Sequence, residues 1–282
     1  MSSESIFAQL RRDFHAALTE KTLTRNDKGV VSNADSSSKS SRDIASAILD
    51  QIGTPARQDK QPGQTAGALF ETACADFVQT SLKHLAHLRP GQFVTLKGGD
   101  ISQFEQYAHL DDLEAIARAN PEIATALGSD YLIKPDITVS RVPETDARIN
   151  IGAPLIDQSV ARHASLRGAV QPMPLLHASI SCKWTIRSDR AQNARSEGLN
   201  LTRNRKGRVP HVVVITGEPL PSRIASLALG TGDIDCVYHF ALHELERALT
   251  DLGKDDTLDM LHMMIAGKRL KDISDLPLDL II

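Results

Sequence analysis

The sequence predicts an α/β fold in which a central mixed β-sheet is flanked by helices. Two observations carry that expectation. Short β-branched or alternating runs at Pro135 to Ser140, Leu176 to Thr185 and His211 to Thr216 read as strands. Around them lie segments whose apolar residues recur every three or four positions, the spacing of one helix face. With 282 residues, 41% of them hydrophobic and 24% charged, the chain can bury one large core, so residues 1–282 are expected to form a single domain. No internal repeat is visible.

Ile6, Leu10, Phe14 and Leu18 stand at four-residue spacing after a serine-rich start, which predicts an amphipathic first helix. The polar stretch 26–41, including Ser36-Ser37-Ser38-Lys39-Ser40-Ser41, reads as a loop or as an interface segment that orders against a partner. A short helix is expected from Arg42 to Ile52, stopped by Gly53. After a Pro62-Gly63-Gln64 turn comes a longer helix with Phe70, Cys74, Phe77, Leu82 and Leu85 on its buried side, ended by Pro90-Gly91. Gln92 to Lys97 reads as a strand, Leu110 to Ala119 as a helix, and 143–174 as an irregular loop or interface segment. Helices are also expected from about Ser188 and from Phe240 to Leu252.

Composition removes several function classes. Aromatic residues make up only 4% of the chain, which disfavours a single-strand binder that stacks successive bases. Cys74, Cys182 and Cys236 lack metal-ligand spacing and read as reduced thiols of a cytoplasmic protein. The N-terminus has no apolar signal-peptide core, and the Val212 to Ile215 run is too short to span a bilayer. The net charge of −3 hides an asymmetry: Arg187, Arg190, Arg195, Arg203, Arg205, Lys206 and Arg208 face only Asp189 and Glu197 within 187–208, a local balance of +5. A basic run of this kind suits a phosphate backbone, although a solvated helix face explains it equally well.

Strand alternation sorts the side chains. Lys134, Asp136, Thr138 and Ser140 are expected on one face, opposite Ile137 and Val139. His177, Ser179, Ser181 and Lys183 are expected on one face of the next strand, opposite Ala178, Ile180, Cys182 and Trp184. If the polar faces align, Asp136 and Lys183 converge at a solvent-accessible spot. Glu197, two to three turns along the following helix, is placed to return to the same spot. Carboxylates of this kind hold Mg²⁺ for phosphodiester hydrolysis, with a lysine to orient water or balance charge. Glu71 on the early helix is a candidate supporting carboxylate. From the residues alone, Asp136 capping a turn and Glu197 pairing with Arg195 or Lys206 remain open. Arg187, Asp189 and Arg190 could equally form a local ion-pair ladder. His239 and His243 stand four apart without an HExxH pattern, so packing rather than zinc ligation is expected. Gly230-Thr231-Gly232 lacks the rest of a phosphate-binding loop.

Pro135-Asp136, then Ser181-Cys182-Lys183, then Glu197 resembles a rearranged PD-(D/E)xK nuclease pattern, in which Ser181 stands where an acidic residue is usual. The run LLHASISCKWTIRSDRAQNARSEGLNLTRNRKGR (175–208) resembles the NgoMIV-like type II restriction endonucleases, a tetrameric family that cuts sites with a CCGG core. VVSNAD (30–35), PGQT (62–65), GSDY (128–131), GTGDIDCVYHFAL (230–242) and GKRLKDISDLPLDL (267–280) are similar too.

The resemblance implies a restriction-endonuclease-like fold and Mg²⁺-dependent cleavage of double-stranded DNA at GCCGGC, as G/CCGGC with 5′ overhangs. It further implies a homotetramer made of two dimers, a bacterial cytoplasmic location and a cognate DNA methyltransferase. Asp136 and Glu197 would hold metal with the Cys182 backbone carbonyl, and Lys183 would be the catalytic lysine supported by Ser181 and Glu71. Arg187 and Arg190 would read guanines and Asp189 cytosine amines, as bidentate arginine and accepting aspartate do in the major groove. Gln64 would approach the inner bases from the minor groove, and Asp35 and Arg223 would read the outer G·C pair. Two alternatives are a non-catalytic DNA-binding protein on the same scaffold and a structure-selective repair nuclease. The intact Asp136, Lys183 and Glu197 argue against the first, and the Arg-Ser-Asp-Arg reader argues against the second.

Overall fold

β-branched and apolar side chains dominate the segments that pair, so the sheet forms where burial on both faces is possible. The computed structural model describes residues 4–53, 63–127, 133–230 and 232–282. Among them six strands form one sheet: β1 (Phe93–Lys97), β2 (Ile137–Arg141), β3 (Leu175–Lys183), β4 (His211–Thr216), β5 (Cys236–His239) and β6 (Leu270–Asp272). They lie in the order β1-β2-β3-β4-β5-β6. β1, β2 and β3 pair antiparallel, while β3 to β6 pair parallel. The sheet is mixed and helix-flanked, as expected for a restriction-endonuclease-like α/β fold. Parallel neighbours need crossovers, and helices supply them.

In chain order the helices are α1 (Ile6–Lys21), α2 (Lys39–Ile52), α3 (Gly63–His84), α4 (His109–Ala119), α5 (Pro121–Leu127) and α6 (Asp146–Ile149). They continue with α7 (Ser188–Asn204), α8 (Pro221–Ala228), α9 (Leu242–Asp251), α10 (Asp255–Ala266) and α11 (Leu276–Asp279). Ser5 caps α1 by accepting from the Ala8 amide, and Phe14 and Leu18 enter the core while Ile6 stays exposed. Arg11 on α1 donates at 2.9 Å to both Glu244 and Asp272, tying the helix to α9 and to the end of β6.

Several boundaries differ from expectation. The 26–41 stretch orders against this chain's own body: Arg25 bridges to Val31, Asn26 Oδ1 accepts from the Lys28 and Val30 amides, and Asn33 is buried. Asn and Ser side chains satisfy the turns locally, and Ser38 caps α2 at Lys39, three residues before the expected start at Arg42. α3 already includes Gly63 and Gln64, and it ends at His84, well before Pro90-Gly91. The region 143–174 is irregular apart from α6, and its Arg167 guanidinium is pinned to Asp146 at 2.7 Å. The expected helix from Phe240 begins at Leu242, so His239 closes a strand rather than sharing a helix with His243.

The polar strand face also needs correction. Register runs Ile137↔Ile180, Thr138↔Ser179 and Val139↔Ala178, then slips to Ser140↔Leu176. This bulge moves His177 off the Ser179 face. Its ring instead packs 5.0 Å from Phe93 and 5.1 Å from His211, on the side shared by Val139 and Ala178. Nor is the polar face open along its length: Thr138, Ser140 and Ser179 are buried beneath a small second core containing Phe104, Tyr107, Leu201 and Val212. Only the Asp136–Lys183 end reaches solvent.

α7 lies very close to this layer. A Cβ on Gly198 would fall 2.5 Å from the Asp233 carbonyl oxygen and 3.2 Å from Val212 Cγ1. Gly198→Ala is therefore expected to push α7 outward at a cost of about 1–3 kcal/mol. A lower thermal midpoint together with a shifted Glu197, the preceding residue, would bear this out.

Candidate active site

Asp136 stands one residue before β2, where the Gly98 amide donates to its carbonyl at 2.8 Å and extends the β1–β2 pairing. Its carboxylate crosses to β3. Oδ2 accepts from the Cys182 amide at 2.7 Å, from Lys183 Nζ at 3.2 Å and from the Ser181 hydroxyl at 3.4 Å. Ser181 Oγ also lies 3.5 Å from Glu197 Oε2. Asp136, Ser181, Lys183 and Glu197 are thus brought together at one sheet end, and the turn-capping and surface-pairing readings fall away. Arg195 donates to the Leu229 carbonyl instead.

Burial pushes Glu197 above the usual carboxylate range and the charge of Asp136 adds to this, while Lys183 and the Ser181 hydroxyl oppose it. Glu71 is displaced upward as well, by burial and then by Asp136, against the pull of Lys97. Lys97, at the end of β1, lies 3.4 Å from Glu71 and donates to the Ala68 carbonyl at 2.8 Å and to Thr72 Oγ1 at 3.1 Å. Glu71 therefore borders the cluster through charge and is held by Lys97.

Cys182 keeps its side chain on the core side, where burial, with Cys74 beside it, pushes the thiol far up; it is a packing residue. His239 is buried with Nε2 3.1 Å from the Glu218 carbonyl, so it packs and hydrogen-bonds within the fold.

The expected readers are distributed around this centre. Arg187 is exposed at the N-cap of α7. Ser188, Asp189 and Arg190 form the first turn, but their side chains lie outside the described residues, as does that of Gln64 in the first turn of α3. GSDY also lies outside them. Asp35 and Arg223 are paired with each other, and Ser37 with Arg223 holds the Asp35 carboxyl well below the usual range.

Among the described residues no group of three or more His, Cys, Asp and Glu side chains forms a closed metal cage. Two oxygen-donor carboxylates flanking one hydroxyl do suit Mg²⁺, which keeps several waters and takes one or two carboxylates with substrate phosphate. Sequence reasoning missed Lys97 and Glu218. Neither belongs to a spacing pattern, and both acquire their partners only in the folded chain.

A mixed sheet with two acidic side chains, a serine and a lysine at one strand end has the arrangement of a type II restriction endonuclease, and the comparisons agree. Residues 14–282 match the family described as "NgoMIV restriction enzyme". A relative named "Type II restriction enzyme NgoMIV", from Neisseria gonorrhoeae, is 56% identical over 281 residues, covering 98% of each chain. The chain belongs to the NgoMIV restriction enzyme family.

Removing the Asp136 charge should relieve Glu197. In Asp136→Asn the Glu197 pKa is expected to fall while staying above its ordinary value, because burial persists. Carboxylate ¹³C NMR titration of the two proteins checks this, and an unmoved Glu197 titration contradicts the proximity.

Proposed function

We propose that this enzyme cuts double-stranded DNA at GCCGGC in a Mg²⁺-dependent reaction, as G/CCGGC with 5′ overhangs. The observation that carries the catalytic assignment is the convergence of Asp136, Ser181, Lys183 and Glu197 at the end of β3. The basic segment beginning at Arg187 follows four residues after Lys183 in the chain, so cleavage and sequence reading share one strand-to-helix unit.

Asp136 and Glu197, with the Cys182 carbonyl, are the groups that would hold Mg²⁺. When bound, that ion supplies charge neutralisation at the phosphate and lowers the pKa of water. The chain's own groups do the rest. Lys183 orients the attacking water or offsets charge that builds on the phosphate oxygens. The Ser181 hydroxyl lies between the two carboxylates and can donate its one proton to either, and Glu71 steadies water at the rim while Lys97 holds it in place.

For reading, Arg187 and Arg190 donate to guanine O6 and N7, and Asp189 accepts from cytosine N4. The start of α7 suits entry into the major groove. Gln64 contacts the inner bases from the minor groove, and Asp35 with Arg223 reads the outer pair. A palindromic site favours a two-fold dimer in which each subunit cuts one strand. Two such dimers form the tetramer, with 143–174 as a candidate contact region. A methyltransferase of the same specificity is the functional companion that protects the producing cell's DNA.

Plasmids with one or two GCCGGC sites, digested with Mg²⁺, test the whole reading. The wild-type enzyme is expected to cut the two-site plasmid faster and to leave G/CCGGC ends on sequencing. Equal rates on both plasmids count against the tetramer, and ends at another sequence overturn the specificity. Lys183→Ala is expected to lower single-turnover cleavage by at least about a hundredfold while still retarding a GCCGGC duplex in a gel. Near-normal cleavage by that variant removes the catalytic role.

A further inference from the structure

Glu218 lies two residues beyond β4 and is completely buried, yet no catalytic or base-reading step uses it. Its Oε2 accepts from the Ile186 amide at 2.8 Å and its Oε1 from the Leu220 amide at 3.2 Å. Arg223 Nη1 is 3.8 Å from the same carboxylate, and Arg223 Nη2 is bonded to Asp35. Burial pushes the Glu218 carboxyl up against the pull of those two amides and of Arg223.

The surrounding turn collects the functional parts of the molecule. Thr216 Oγ1 and the Gly217 amide both donate to the Lys183 carbonyl, at 2.8 and 3.1 Å. The Asn33 side-chain amide donates to the Gly217 carbonyl at 2.7 Å, which anchors the loop that carries Asp35. A Cβ on Gly217 would fall 2.5 Å from the Trp184 ring, so the turn and the β3 end are in direct contact. Residues 216–218 therefore grip the strand that carries Lys183, the entry to α7 and the helix that carries Arg223.

A buried negative charge is hard to explain by the two amides alone, because a neutral acceptor would satisfy them without the desolvation cost. The charge makes physical sense where a cation has to be held, and Arg223 is the cation within reach. Asp35 is partly exposed and Glu218 is not. Arg223 can thus exchange Asp35 for a base edge while Glu218 still compensates its charge.

We propose that Glu218 is a positioning residue for sequence reading, which aims Arg223 at the outer base pair and pins the Ile186 amide at the entry to the Arg187–Arg190 reader. This rests on the assignment of Arg223 to the outer pair. It links outer-pair reading to the Lys183 strand through one buried carboxylate.

Cleavage of GCCGGC and ACCGGT duplexes by the full-length enzyme tests it, with kcat and KM measured for wild type, Glu218→Gln and Arg223→Ala. Glu218→Gln keeps the size and one acceptor but loses the charge. The ratio of kcat/KM for GCCGGC over ACCGGT is expected to fall at least about tenfold in both variants, through loss of the correct-site contact. A merely structural role lowers both duplexes by the same factor, and that result overturns the proposal. A reduced ratio in Arg223→Ala with an unchanged ratio in Glu218→Gln overturns the role of Glu218 alone. An unchanged ratio in Arg223→Ala overturns the outer-pair assignment and the proposal with it. If Glu218→Gln does not fold, Glu218→Asp reads the same ratio. With charge kept and reach shortened by one methylene, a drop of about threefold supports the proposal, and no drop overturns it.

Discussion

The short bond from the Cys182 amide to the Asp136 carboxylate is the constraint on which the site depends. β2 begins at Ile137, so the sheet ladder has no strand residue at Asp136 to continue it beside the end of β3. A side-chain oxygen takes the place of a backbone acceptor. Hydrogen bonds to charged groups contribute about 1.5–3 kcal/mol, enough to hold the carboxylate in one orientation. With Asp136 fixed, Lys183 falls beside it and Ser181 lies between it and Glu197. The position of Glu197 is set from the other side, by the close approach of α7 that only Gly198 permits.

This arrangement places like charges together in a partly buried setting. Burial displaces Glu197 and Glu71 upward, Asp136 adds to the displacement of both, and Lys183 opposes it. A site in that condition favours a cation, because a divalent ion relieves repulsion that the protein alone leaves in place. Stability and function pull apart here, as functional sites commonly require. Away from the site Arg11 is paired with both Glu244 and Asp272.

Strand period made Asp136 and Lys183 legible in the sequence, since alternation alone puts both on the polar face. Glu197 was reachable only through the family resemblance, because a carboxylate on a later helix has no fixed spacing to a strand. The alternation argument failed at His177, where a bulge changed the face, and a bulge leaves little trace in composition. β5 and β6 escaped detection for a different reason. They are short and largely buried, so they show neither alternation nor a long apolar run. The polar 26–41 stretch looked unstructured because its order comes from side chains capping turns and from Asn33 reaching Gly217, a contact between distant parts of the chain. Glu218 and Lys97 were invisible for that reason too.

The central claim is that Asp136 and Glu197, with Ser181 between them, form the cation-holding centre. Crystals grown with Mn²⁺ in place of Mg²⁺ and a cleavable GCCGGC duplex test it most directly, through anomalous scattering measured at the manganese edge. The account predicts an anomalous peak within ligand distance of both carboxylates, next to the scissile phosphate. A peak elsewhere in the DNA cleft, with both carboxylates vacant, would contradict it.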